Sequence, residues 1–377
     1  MAKIIAFPRN PCCMRQRSRH AEINPDLLAG EPASAMHVGN HAMRVQPIWK
    51  SRTHGILMSV VLPARGRPGL LNRCLASLMR QTLSPLRYEI IVVDSAPSSA
   101  SRRVVEHYLT RPGTGPCIIY LPVESQESPG AARNHGWHIA RGTLIAFTEE
   151  DMIPCRDWLT QGLQAFDGIS QAVRGHIAMP MAGLPSANEH AVKSLEQAEF
   201  ASINCFCLKH VLEELGGFDE RFGAAGCEDA DLYFRLLQAD AVIADAPLAV
   251  VEHPSGAEPW GASLRQQKNM QFDALLYKKH PHLYREKIAA AMPWNYHAIV
   301  AALLVLMVAL ALDKPLAALF AAACWLLLSA HLCLQRLRGT AKSAFNISEI
   351  VLTSPFLPPL AIFWRLVGAL RFRVGFI

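Results

Sequence analysis

Residues 128–154, SPGAARNHGWHIARGTLIAFTEEDMIP, decide how this chain folds. Ser128 supplies a hydroxyl for the first free amides of a helix, and Pro129 fits the first helical position because its φ is already set. The helix is expected to run to about Arg141 and stop at Gly142, which tolerates the backbone of a helix end. TLIAF at 143–147 follows at once. A short apolar run of this kind is a strand covered on both faces, the mark of a parallel sheet rather than a half-wet antiparallel one. Three acids, Glu149, Glu150 and Asp151, then stand directly at its end.

The same unit recurs upstream. LMSVVLP at 57–63 is a buried strand, and residues 69–81 place Leu71, Cys74, Leu75 and Leu78 at helical spacing. EIIVV at 89–93 is a second strand ending at Asp94, 98–109 reads as a helix, and 117–121 as a third strand. Strands alternating with helices imply parallel pairing through right-handed crossovers. Residues 56–151 are therefore expected to form a nucleotide-binding α/β half. Beyond it, helices are expected at 158–166, 189–200, 228–238 and 260–280, extended segments at 172–181, 202–208 and 241–251, and a turn at Gly216–Asp219. Residues 152–285 make up the acceptor half of one catalytic domain, 56–285.

From Trp294 the composition changes. Residues 294–312 and 316–334 carry no charge, and Asp313, Lys314 and Pro315 form the turn between them. Each run has the length of a membrane-crossing helix, so 292–335 is expected to be a transmembrane hairpin. Lys278, Lys279, Arg285 and Lys287 precede it, and Arg336, Arg338 and Lys342 follow, which puts both flanks in the cytoplasm. The expected location is the inner (cytoplasmic) membrane, with the catalytic domain on the cytoplasmic side. Within 336–377, residues 350–370 are apolar but contain Pro355, Pro358, Pro359 and Arg365, and the segment reads as either a broken third membrane span or an interfacial one.

The bulk composition agrees. The 377 residues are 51% hydrophobic and only 18% charged, as expected if part of the chain lies in lipid. A net charge of +6 is too mild and too dispersed for a nucleic-acid partner and suits a basic membrane-facing surface. Ten cysteines without a CxxC or paired zinc spacing read as thiols of a reducing compartment. Residues 1–22 lack the apolar core of a secretory signal, and 1–55 reads as a disordered, basic arm.

In an open parallel sheet, ligands bind beyond the carboxyl ends of the strands. Pro63, Ala64 and Arg65 end the first strand, Asp94 and Ser95 the second, and the 149–151 acids the fourth, so these distant groups should converge. Glu149 and Asp151, separated by one residue, can both reach one divalent cation, and hard oxygen ligands suit Mg²⁺ or Mn²⁺. Such an ion would neutralise a departing diphosphate. The plain alternative is a solvated acidic loop. Asp94 can accept hydrogen bonds from a base or ribose, or simply start a turn. Arg65 and Arg133 can contact phosphate oxygens, although Arg133 reads equally as a solvated helix residue. Glu150 is counted with them among the donor-binding groups. Glu228 and Asp229 open a helix after the small-residue segment 222–226. The helix dipole accounts for acids there, and so does a general base for a hydroxyl.

Taken in order, SVVLPARGRPGLLNRCLASLMRQT (59–82), EIIVVDSAPSS (89–99), residues 128–154 and LGGFDERFGAAGCEDADLYFRL (215–236) resemble the family-2 glycosyltransferases of the GT-A fold. The resemblance covers about 56–255 and implies a GT-A-like, Rossmann-type, mostly parallel sheet flanked by helices. It implies that Asp94 recognises the nucleotide, that Glu149 and Asp151 are the outer acids of the metal motif, and that Asp229, beside Glu228, is the catalytic base. Arg133 and Asn134 correspond to the stretch lining the donor site, and His253 to a histidine near the diphosphate or metal, or else to a solvated loop residue. The implied reaction is an inverting transfer of one sugar from a nucleotide-sugar donor to a hydroxyl acceptor, a lipid-linked or membrane-proximal glycan. Departures are Glu149 where aspartate is usual, no second acid after Asp94, and no QxxRW, which argues against a processive polymer synthase. The competing readings are a catalytically inactive membrane scaffold that binds nucleotide sugar or a partner enzyme, and a nucleotidyltransferase. No GxGxxG follows the first strand, which argues against a nicotinamide oxidoreductase.

Overall fold

The computed structural model describes residues 55–109, 115–123, 128–180, 186, 199–223, 227–254, 259–288 and 293–375. The expected disordered arm, nearly all of the 189–200 helix and most of the small-residue segment 222–226 lie outside the described residues. An eight-stranded mixed sheet, in the order β3-β2-β1-β4-β7-β6-β8-β5, forms the centre. Its first half is the parallel set read from the sequence: β1 (Met58–Ala64), β2 (Tyr88–Asp94), β3 (Cys117–Pro122) and β4 (Leu144–Phe147). Every residue of β1, β2 and β4 is buried, which is why these strands read as unbroken apolar runs, whereas β3 lies at the sheet edge and is half open.

Helices α1 (Pro68–Leu78), α2 (Ser99–Leu109) and α3 (Pro129–Ile139) are the crossovers. The Ser128 hydroxyl accepts from the Ala131 amide, as the sequence implied for the start of α3. Two glycines let α3 and its exit lie directly on the sheet. A Cβ on Gly136 would collide with Val61 Cγ1, and one on Gly142 would sit 2.7 Å from the Met58 carbonyl carbon.

After β4 the direction changes. β5 (Ile153–Pro154), α4 (Trp158–Gln164) and β6 (Ala172–Ala178) lead to β7 (Cys205–Leu208), which runs antiparallel to both β4 and β6. Helix α5 (Lys209–Leu215) follows, closed by Gly216 at φ 75°, then α6 (Cys227–Gln238) and β8 (Ile243–Glu252). Residues 202–208 are not extended throughout, since Ser202–Asn204 is a 3-10 turn feeding β7. The long helix expected over 260–280 is broken into α7 (Ala262–Gln266), the 3-10 turn Gln267–Met270 and α8 (Gln271–Lys279).

Two further helices, α9 (Trp294–Ala311) and α10 (Pro315–Leu337), are long and apolar enough to cross a membrane and pack on each other as a hairpin. Their apolar side chains are mostly outward, with Leu316, Leu319, Phe320 and Leu327 among the most exposed. The tail is neither one straight helix nor irregular. It is α11 (Ala344–Thr353) and α12 (Leu357–Phe372), bent by 57°.

Candidate active site

The groups after β1, β2 and β4 do converge. The Arg65 backbone amide donates to Glu150 Oε1 at 3.0 Å, and the Arg67 guanidinium donates to the same oxygen at 2.7 Å and to Asp151 Oδ2 at 3.1 Å. The Ser95 amide donates to the Ala64 carbonyl at 2.9 Å, closing the second strand end on the first. Glu150 is 2% exposed and braces the loop after β1. Burial raises its carboxyl above the ordinary range, and Arg67 opposes the shift. The side chain that ties this corner is Arg67, a residue of the same loop that was not among the expected donor-binding groups.

Asp94, fully buried, accepts the Ala96 amide at Oδ1 (3.1 Å) and the Tyr120 phenol at Oδ2 (2.9 Å). Tyr120 comes from the next strand over, and the phenol is held above its usual pKa by burial and by that carboxylate. No sequence spacing links Tyr120 to Asp94. The β2–β3 register, with Val92 opposite Tyr120, does.

Arg133 is the centre of the second cluster. It is 1% exposed and reaches Glu149 Oε1 at 2.5 Å and Glu228 Oε1 at 3.2 Å. One guanidinium therefore joins the loop after β4 to the first turn of α6. Burial works against its charge, yet Asp229, Glu149 and Glu228 together hold it above its ordinary value. The carboxyls feel the converse. Burial pushes Glu149 up to about 7, with Arg133 opposing and Asp151 and Asp229 adding repulsion. Burial and the adjacent Asp229 push Glu228 up to about 8, again against Arg133. Three acids crowd one buried cation, and the raised values of Glu149 and Glu228 mean that a bound positive charge would favour their ionised forms.

Asp229 accepts the Ser202 amide at Oδ2 (3.1 Å), while its buried Oδ1 has no partner within the protein. Glu228 Oε2, Glu150 Oε2 and Asp151 Oδ1 are buried without a partner as well. Buried carboxylate oxygens are costly to leave unpaired, so a cluster of them marks a place where a ligand completes the bonding. Asn134 is held among four partners within the protein. Its amide takes the Phe218 amide and the Trp137 indole at Oδ1 (both 2.9 Å) and donates to the Phe218 carbonyl (2.9 Å) and to Glu220 (2.8 Å). It pins the turn before α6 onto α3. Arg133 is buried rather than solvated, and its guanidinium pairs with Glu149 and Glu228.

Among the described residues, no three His, Cys, Asp or Glu side chains are grouped closely enough to hold a metal ion by themselves. Glu149, Asp151 and His253 thus do not form a ready three-ligand set. His253 donates its backbone amide to the Ala178 carbonyl, and its buried Nδ1 lacks a partner. The donor set does fit an ion of the Mg²⁺ class, which is held by one or two carboxylates and completed by substrate phosphates and water. Asp151 Oδ1 is one of the unpaired hard oxygens among the described residues.

Comparison with known proteins gives this geometry a setting. Residues 59–178 match the family model described as Glycosyl transferase family 2. Glycosyltransferase AglE of Haloferax volcanii is 24% identical over 220 residues, covering 56% of this chain and 70% of that protein. The pre-mycofactocin glycosyltransferase of Mycobacterium tuberculosis is 29% identical over 216 residues, covering 52% of this chain and 42% of that protein. A solved mannosyltransferase from Pyrobaculum calidifontis, in complex with GDP-Man and Mn²⁺, has a TM-score of 0.49 at 18% identity, covering 87% of this chain and 89% of its own.

Proposed function

We propose, from the premise that this chain belongs to glycosyltransferase family 2, that it is a membrane-anchored, inverting enzyme that transfers one sugar from a nucleoside-diphosphate sugar to a hydroxyl acceptor on a lipid-linked or membrane-proximal glycan. The observation that carries this reading is the Arg133 bridge. It draws the acids after β4 and the acids opening α6 to a single guanidinium, close enough for one small substrate to meet both sets.

In this mechanism Asp94 and the β2–β3 edge take the nucleoside. Asp229, with Oδ1 unpaired and Oδ2 fixed by the Ser202 amide, takes the proton of the acceptor hydroxyl. The acceptor oxygen forms its bond to the anomeric carbon as the bond to the diphosphate oxygen breaks, and the nucleoside diphosphate leaves with that electron pair. Displacement from the opposite face inverts the anomeric centre. Mg²⁺ or Mn²⁺, held by Asp151 and the outer oxygen of Glu149 with phosphate oxygens, would supply positive charge to the leaving diphosphate. Arg133 keeps Glu149 and Glu228 in register across the two halves of the sheet. The apolar hairpin and its basic flanks support a cytoplasmic catalytic domain at a membrane, where the donor is available.

A panel of nucleotide sugars, with release of nucleoside diphosphate as the readout, tests the proposal and names the donor. Asp229→Asn is expected to lower turnover by about 10²-fold or more while donor affinity measured by calorimetry stays within about twofold, since Asp229 does not grip the nucleotide. Wild-type turnover in Asp229→Asn would remove the base assignment, and no release with any donor would favour a scaffold.

A further inference from the structure

The tail helices carry their polarity the wrong way round for a protein surface in water. In α11 the inward positions are Asn346, Glu349, Ile350 and Thr353, each 2% exposed or less, and in α12 they include Arg365 at 5%. The outward positions are apolar: Phe345, Leu352, Phe356, Phe363, Leu366 and Leu370, from 40 to 80% exposed. A helix in water buries its apolar stripe and shows its polar one. The reverse pattern is stable where the surroundings are hydrocarbon and the polar groups are satisfied inside.

The inward polar groups find partners in the tail, the hairpin and the catalytic domain: Asn346 donates to the Ala341 carbonyl, and Thr353 accepts from Arg336 of α10. Glu349 accepts from Ser263 of α7 at 3.2 Å. Arg371 donates to Gln271 of α8 at 2.9 Å, and Lys278 donates to the Phe372 carbonyl at 2.8 Å. A Cβ on Gly368 would collide with the Gln271 carbonyl, so the backbones of α12 and α8 touch. On the other flank Ala361 packs with Tyr296, Ile299 and Leu332 of the hairpin. The pair is wedged between catalytic domain and hairpin, and its outward face is continuous with theirs.

The pair is not one straight crossing. α12 has 16 residues, about 24 Å of helix against the ~30 Å hydrocarbon core, and α11 meets it at a bend of 57°. Both ends carry basic residues. α11 follows Arg338 and Lys342, and α12 ends at Arg371 and Arg373 against α8.

We propose that residues 344–372 are a re-entrant wedge whose outward face lies in the acyl chains of the cytoplasmic leaflet and seats the catalytic domain on the bilayer surface. This rests on the membrane-anchored reading above. The partner is lipid hydrocarbon, and the seat brings the acceptor side of the domain to the level where a lipid-borne hydroxyl is presented.

The test uses the full chain in vesicles of phosphatidylcholine and phosphatidylglycerol. A fluorescent probe is placed at Leu352→Cys, Leu366→Cys or, in the middle of α9, Val305→Cys, with labelling of the unsubstituted protein subtracted. Lipids carry a quencher either near the headgroup or near the chain end. At 352 and 366 the shallow quencher is expected to act at least about twofold more strongly than the deep one, and at 305 the order should reverse. No quenching at 352 and 366 alongside quenching at 305 overturns the wedge and leaves the anchor standing, as would happen if a second copy or water covered this face. Strongest deep quenching at 366, with Leu370→Cys reached by an impermeant thiol reagent only from the side opposite the catalytic domain, makes the pair a true span and also overturns it. If 305 is unquenched as well, the anchoring itself has failed.

Discussion

At the scale of single residues, the site is an exercise in who neutralises whom. Glu228 sits in the native protein with its carboxyl raised from 4.5 to about 8 by burial and by Asp229. A carboxyl whose folded pKa lies above its unfolded value binds its proton more tightly in the native state. The native state therefore loses stability as pH rises from about 4.5 to about 8, the window between those two values. Glu228→Gln, which cannot lose a proton, is expected to flatten that part of the stability-against-pH curve, measured by thermal unfolding at several pH values. An unchanged slope would mean that Glu228 does not titrate there. Asp151 has the complementary role, because its Oδ2 is tied to Arg67 while Oδ1 is unpaired. Asp151→Ala is expected to weaken Mn²⁺-dependent donor binding by about tenfold or more and to leave the metal-free component unaltered. Equal affinity with Mn²⁺ present would assign the ion to other residues.

At the scale of elements, α3 carries Arg133 and Asn134, and its position depends on how closely it can lie on the sheet. Gly136 faces Val61, a β-branched side chain with little freedom to retreat. Gly136→Leu is expected to cost about 1–3 kcal/mol of stability, read by denaturant unfolding, and to reduce transfer further than stability alone explains because Arg133 moves with the helix. Wild-type activity in a destabilised Gly136→Leu would uncouple the two. The first four strands and three crossovers were legible because the strands are apolar runs, three of them buried on both faces, and each helix start carries its own cap or proline. α5 was not, since it follows β7 directly through Leu208, with no capping side chain or proline to mark its start. The break in 260–280 has no proline or glycine between Ala262 and Lys279 to announce it. Within the site, acids at strand ends were readable as a class. Partners fixed by tertiary geometry, such as Tyr120 to Asp94 and Arg67 to Glu150, were not, and neither was Arg133 as a buried cross-link, because burial of a charge is decided by the acids that meet it.

At the scale of the whole molecule, the catalytic domain and the tail share a surface through α8. Phe272 of α8 is buried next to Phe222, one residue ahead of Gly223, and on its other side meets Phe372. Removing residues 341–377 is expected to lower the unfolding temperature of the detergent-solubilised chain by more than about 5 °C, although the sheet itself is intact. An unchanged transition would mean that the tail contributes no support. The sheet has its own dividing line where β4 meets the antiparallel β7. On the proposed reading the groups that take the nucleotide lie on one side of it and the helix that carries the base on the other, with Arg133 joining Glu149 to Glu228. Hybrid enzymes can accordingly be cut along that seam: donor preference would travel with one parent and acceptor preference with the other, provided that the arginine and the glutamate it clasps are inherited as a matched pair.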